Sequence, residues 1–255
     1  MTSQIIPHYI ILLLTVIVFV AGEEAATSKS SAQRGIKKMG VKTKIYGGKE
    51  LAPPPDTLAV TAEVWFDLKI SNYYEKGKHF RERITVACFG LLSPVLCENF
   101  VSLFKGYQKG ELHLSYRGTK VKSIIRDYMI VLGDVRTRFS DSVNVTRIYG
   151  SKEDFTISHN HAGWLGWADF GPDMIGSEFY IILRPTRWLD GKHTIFGKIL
   201  KGMDGLKTVS LEETGEDNKP LRPVVVENVG VIRVKKPYIL TAQEFNTDGD
   251  IVRKT

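Results

Sequence analysis

The chain has 255 residues, 43% of them hydrophobic and 25% charged, two cysteines and a formal net charge of +7. The composition is that of an ordinary globular protein. The charge would point to nucleic acid, but seven Lys or Arg against one acid lie between Thr27 and Glu50. The remainder is close to neutral, which excludes an evident basic face on the folded part. It leaves a solvated basic segment, with contact to a polyanion or membrane surface as the sharper alternative.

Residues 1–22 read as a targeting segment. Tyr9 to Ala21 is an apolar run of thirteen residues, short of the ~20 a full span needs and suited to the core of a signal peptide. Small residues follow at Ala21 and Gly22. An uncleaved signal anchor is the alternative, and only it would hold the chain in a membrane. The expected location is the secretory pathway, in the endoplasmic reticulum lumen or outside the cell, or membrane-anchored through this segment. Residues 23–58 form a basic linker that closes on Pro53-Pro54-Pro55, a stiff extended spacer. Asn144-Val145-Thr146 is a glycosylation sequon, placing a glycan on Asn144 if the chain enters that route.

The folded part, expected over 59–235, opens with Val60 to Ile70, whose apolar–polar alternation predicts a half-buried strand. Ser71 to Lys78 reads as a polar turn and Arg83 to Gly90 as the returning strand. Ser93-Pro94 starts a helix, with Ser as N-cap and Pro in the first turn. Leu96, Phe100, Leu103 and Phe104 share one face and Gly106 ends it. Further strands are expected over Val121 to Ile125, Met129 to Leu132, Leu165 to Ala168, Phe179 to Leu183, Thr194 to Leu200 and Val224 to Val234. A short helix over Met203 to Val209 is weakened by Gly205, and Arg136 to Lys152 reads as a long loop. Trp167 is expected in the core. Residues 236–255 form a tail with little apolar patterning. Its Asn246 to Asp250 run lacks the closing Glu of a calcium loop, and Asp248 and Asp250 are expected to be solvated. Cys88 and Cys97 sit on apolar positions without metal-ligand spacing, open to a disulfide or to two buried thiols.

Short strands, two helices and turn-type links fit a mainly β fold, a closed antiparallel barrel. A barrel of about eight strands fills its interior with side chains. Any site then lies on the outer surface, where Phe179, Trp188 and His193 could gather.

Several long motifs then appear in order. Tyr116 to Val135 (YRGTKVKSIIRDYMIVLGDV) resembles the cyclophilin segment Y-[KR]-G-[ST]-x-F-H-R-V-I-x-[DG]-F-M-I-Q-G-G-D-F. Gly176 to Ile181 resembles G-S-Q-F-F-I. Trp188 to His193 with Phe196 to Lys198 resembles W-L-D-G-K-H-x-x-F-G-K, and Pro94 to Phe100 resembles the first helix. The resemblance covers about residues 59 to 234. It implies an eight-stranded antiparallel barrel capped by two α-helices, and peptidyl-prolyl cis-trans isomerase activity. Amide resonance sets a barrier of about 18–20 kcal/mol to peptide rotation, and an X-Pro bond exchanges over tens of seconds. Its catalysis needs no nucleophile, metal or cofactor. It needs an apolar pocket for the proline ring and a donor aimed at the prolyl nitrogen. Cyclophilins use an arginine for this, steadied by a glutamine.

Carried over by position, the resemblance implies a peptide-binding wall of Tyr128, Met129, Ala168, Phe179, Tyr180, Trp188, Leu189 and His193. The polar machinery departs from the family. Ser123 stands at the arginine position, Lys122 at the histidine before it and Val131 at the glutamine, so no catalytic residue is assigned. Lys122 and Arg126 have the wrong strand parity to replace the arginine. Asp169 and Glu178 replace Asn and Gln and would attract a basic ligand. Phe170 replaces a small residue beside the groove, and a Gly-rich family loop has become Arg136 to Thr146. The expectation is a monomeric cyclophilin-like protein with a proline-containing or extended polypeptide client and a chaperone or folding-helper role. Isomerase activity is expected to be weak or absent. The alternatives are an active isomerase with another donor and a non-catalytic interaction scaffold.

Overall fold

A computed structural model describes residues 58–109, 112–135, 157–168 and 177–251. The expected targeting segment and basic linker to residue 57, the Asn144 sequon, the expected loop over Arg136 to Lys152, Asp169 and Phe170 lie outside the described residues.

Apolar–polar alternation builds the first hairpin. Strand β2 (Ala62–Glu75) buries Val64, Phe66, Leu68 and Ile70, and pairs antiparallel with β3 (Lys78–Cys88). Both strands run further than their apolar residues indicate. The polar stretch from Ser71 is continued strand, and the reversal is confined to Lys76-Gly77. Gly77 takes φ 84° and donates its N–H to Asn72 Oδ1 at 2.8 Å. Helix α1 (Pro94–Lys105) buries Leu96, Phe100, Leu103 and Phe104 as expected, and ends at Gly106. Ser93 does not cap it. Its hydroxyl is buried without a partner. Cys88, at the end of β3, and Cys97, in α1, form a disulfide with Cα atoms 5.9 Å apart, within the usual span. Closing so short a loop stabilises the fold by roughly 3 kcal/mol in the chain-entropy account.

The remaining main strands are β6 (Ser123–Ile125), β7 (Met129–Leu132), β8 (Trp164–Trp167), β9 (Phe179–Ile182), β10 (Ile195–Lys201) and β11 (Val224–Ile232). With β2 and β3 they form one eight-stranded antiparallel sheet in the order β11-β2-β3-β10-β8-β9-β7-β6. The sheet curls strongly, as right-handed twist requires. Its edge strands β6 and β11 do not pair with each other as strands. The segment just before β6 makes the seam instead. Gly118 N donates to Val226 O (2.7 Å), Val226 N to Thr119 O (2.9 Å) and Val121 N to Val224 O (2.9 Å). The interior is packed with side chains, including Phe66, Phe100, Phe104, Tyr116, Phe179 and Phe196. Trp167 joins them edge-on to Phe196. Small hairpin strands β4 (Tyr107–Lys109) and β5 (Leu112–Leu114) follow α1. Helix α2 (Met203–Ser210) lies so close to β3 that a Cβ on Gly205 would sit 2.0 Å from Glu82 Cγ. The glycine that weakens the helix lets it pack.

The domain does not stop at residue 235. Strand β12 (Tyr238–Ile239) pairs with β1 (Ala59–Val60), and Leu240 and Ile251 are buried. A short helix, α3 (Ala242–Phe245), carries a Thr241–Glu244 capping box and sets Phe245 edge-on against Trp164, ring centroids 4.7 Å apart. Asp248 and Asp250 are exposed at the surface, yet each accepts a backbone bond. Ala162 N donates to Asp248 Oδ1 (2.7 Å) and Met203 N to Asp250 Oδ1 (2.9 Å). The apolar anchors are single residues spaced along an irregular path, so neither helical nor strand periodicity announces them.

Lys198 fastens this segment from inside. Fully buried, its Nζ donates to Ala162 O (3.1 Å) and Thr247 O (2.9 Å), and lies 4.2 Å from the centre of the Trp164 ring. Burial pushes its amine down to about 8 from 10.5, with Asp248 partly opposing. The unfolded chain therefore binds the extra proton between these values, and stability should rise with pH across that window. Denaturant melts at stepped pH should show this rise for the native chain, and Lys198→Met should lose it.

Candidate functional site

The groove floor is a row of residues carried across five strands. Ser123 on β6 faces Val131 on β7, Val131 faces Tyr180 on β9, Tyr180 faces Gly166 on β8, and Gly166 faces Ile195 on β10. Side chains alternate between faces of a strand, so this row lies on the outer face of the sheet, where its side chains are nevertheless buried, from 1% exposed at Tyr180 to 9% at Ser123. Met129, Val131, Ala168, Tyr180, Leu189 and Ile195 share one apolar cluster separate from the barrel interior. Tyr128 sits above it at the β6–β7 turn with 37% exposure, and Trp188, on a 3-10 turn (Arg187–Leu189), has 44%. His193 is half-buried, its ring edge-on to Tyr180 at 5.9 Å between centroids.

Phe179 does not belong to this wall. It points into the barrel, edge-on to Phe66, Phe100 and Tyr116. Parity decides this: Tyr180 and Phe179 are neighbours on β9 and cannot both face the groove. The seven other wall residues border the outer cluster or stand exposed beside it.

Four residues outside the expected wall fix Tyr180. Its hydroxyl is 2.8 Å from His159 Nε2, and His159 Nδ1 is 2.9 Å from Asp190 Oδ1. Asp190 also accepts from His159 N (2.7 Å) and, through Oδ2, from Ser158 Oγ (2.7 Å). An ionised Asp190 can only accept, so Nδ1 carries the proton and Nε2 accepts from the tyrosine. Burial holds His159 below its ordinary value against the pull of Asp190. Burial also raises the Tyr180 phenol. Burial alone would raise Asp190, but the bonds from His159 and Ser158 hold it below the usual carboxylate value. Gly166 completes the arrangement: a Cβ there would lie 1.9 Å from the Tyr180 hydroxyl. The available signal was the hydroxyl itself, since a buried tyrosine needs a partner for it.

What the floor offers chemically is an apolar seat with little to polarise an amide. Ser123 is short and 9% exposed, and Val131 is apolar. Arg126 turns away, Nη2 reaching Leu211 O at 3.4 Å. Among the described residues no group of three metal-capable side chains gathers, and no helix is long and apolar enough to cross a membrane.

Residues 73–231 match the family described as "Cyclophilin type peptidyl-prolyl cis-trans isomerase/CLD". The chain belongs to the cyclophilin family. It is 30% identical over 196 residues to the "Peptidyl-prolyl cis-trans isomerase, rhodopsin-specific isozyme" of Calliphora vicina, covering 76% of this chain and 79% of that one. It is 34% identical over 151 residues to "Peptidyl-prolyl cis-trans isomerase 11" of Caenorhabditis elegans, covering 58% and 81% respectively.

One pair of departures in this cyclophilin is mutually compensating. Lys122 Nζ reaches both oxygens of Glu178, at 2.7 and 2.9 Å. The ammonium side chain is 41% exposed and the carboxylate 4%. Glu178 is therefore already neutralised, and the basic ligand expected for it has no claim on its charge. Breaking the pair should be asymmetric. Lys122→Met takes the ammonium from a buried carboxylate and should cost about 1–3 kcal/mol, whereas Glu178→Gln leaves a cation that reaches water and should cost less. Urea unfolding of the two variants and the double variant measures the difference.

Proposed function

We propose that this cyclophilin is a binding module for proline-containing or extended polypeptide, a folding helper whose isomerase activity is weak or absent. The observation that carries this is the cross-strand pair Ser123–Val131 on the groove floor. These are the positions where the family resemblance implies an arginine donor and its glutamine partner. The apolar seat around them is kept, while Lys122 is engaged by Glu178 and Arg126 turns away. Removing one preorganised donor costs about 10²- to 10³-fold in rate, and both polar groups are replaced here. Holding an apolar ring and an extended backbone needs neither group.

The buried Cys88–Cys97 disulfide supports passage through an oxidising compartment, in line with the targeting segment and the sequon. The similar Calliphora protein carries "rhodopsin-specific" in its name, a precedent for one client served by one member of the family. The test is line-broadening exchange on a proline peptide with the full chain. Shifted peptide resonances without faster cis-trans exchange are expected. Strong acceleration would remove the non-catalytic reading, and absence of any shift would favour a scaffold.

A further inference from the structure

The mouth of the groove looks acidic in the sequence, through Asp169 and Glu178. Among the described residues its sign is the opposite. Glu178 is held by Lys122. Asp190, the one acid in the 183–193 connection between β9 and β10, turns inward to His159 and Ser158, with Arg187 Nε 3.6 Å away. Arg184, Arg187 and Lys192 all stand exposed on that connection. Across from it, the β6–β7 turn presents exposed Asp127 beside Tyr128, and Arg126 bonded to Leu211 O.

Arg184 is the cation best placed to meet a ligand. Its guanidinium carbon lies 4.6 Å from the centre of the Tyr128 ring. Leu183 N donates to Tyr128 O at 2.7 Å, which fixes the two segments side by side. Among the described residues Arg184 has no ion-pair partner within salt-bridge distance. A guanidinium stacked on an aromatic face keeps its N–H edge open, and that edge fits a carboxylate or phosphate in two parallel bonds. Tyr128 is a wall residue of the groove, so an anion held on that edge would belong to the segment seated in it.

We propose that Arg184, stacked on Tyr128, is a specificity-determining residue that selects polypeptide segments carrying an anionic side chain beside the proline. The inference rests on reading the groove as a polypeptide site and names its substrate class.

The test is a titration of the full chain with short peptides that differ only in the residues flanking one proline: glutamate, alanine or lysine, with phosphoserine as a fourth arm. Glutamate should bind more tightly than alanine by about two- to fivefold for each exposed contact, and lysine least tightly. Salt should narrow the gap. Arg184→Gln should abolish the order and Arg184→Glu invert it, both with unchanged melting temperature because the side chain is at the surface. Tighter binding of phosphoserine than of glutamate also supports the inference and identifies phosphate as the better anion. Equal binding of all four peptides, or an order unchanged in Arg184→Gln, overturns the inference while the polypeptide groove stands. No binding of any peptide overturns both.

Discussion

Ser123→Arg combined with Val131→Gln should raise the rate of cis-trans exchange of a bound proline peptide by about 10²- to 10³-fold. The two positions face each other across the β6–β7 ladder, so an arginine entering from one meets a glutamine amide entering from the other. Both native side chains are nearly buried, at 9% and 5% exposure. The new groups must therefore extend outward over the floor, toward where a prolyl nitrogen would sit. Ser123→Arg alone should give part of the gain, because the guanidinium lacks its steadying amide. Val131→Gln alone should give none, and should cost some stability by placing an amide in an apolar cluster. Exchange spectroscopy on the four proteins separates these cases. A native chain that already catalyses strongly, with no gain in the double variant, would mean that another group supplies the donor.

Deleting residues 237–255 should lower the thermal midpoint by about 10–20 °C. Leu240 and Ile251 are buried and Phe245 packs on Trp164. Full burial of such a side chain contributes about 1.5–3 kcal/mol; Phe245 is only half-buried, so the three together contribute about 5 kcal/mol. Three polar losses accompany them. Lys198 loses the Thr247 carbonyl, Met203 N loses Asp250 and Ala162 N loses Asp248. Of its two carbonyl partners Lys198 then retains only Ala162 O. Circular dichroism melts of the full and truncated chains decide it. Equal midpoints would show that the segment lies detached in solution.

The barrel was legible because long motifs occur in family order and because alternation in Val64 to Ile70 is a direct imprint of a one-sided strand. Departures at Ser123 and Val131 were legible by position alone. Other features depend on three-dimensional company. Phe179 looked like a wall residue because it stands beside one, and only strand parity turns it inward. His159 and Gly166 meet at Tyr180, and Asp190 holds His159, from three separate segments, so no local spacing links them. The charge on Glu178 looked available because Lys122, 56 positions earlier, gave no sign of reaching it. The C-terminal segment looked like a tail because its anchors follow no period.

The seam that closes the barrel has a dynamic meaning. It consists of a few backbone bonds from Gly118 to Val121 onto β11, where the other strands are joined by regular ladders. Local opening begins where backbone bonds are fewest, so these amides should exchange hydrogen with solvent sooner than those of β2 and β3. The same stretch runs straight into Ser123 and the groove floor. A polypeptide gripping β6 would pin the seam as well, and its occupancy would register as slowed exchange at Val121 and, across the barrel closure from the ligand, at Val226.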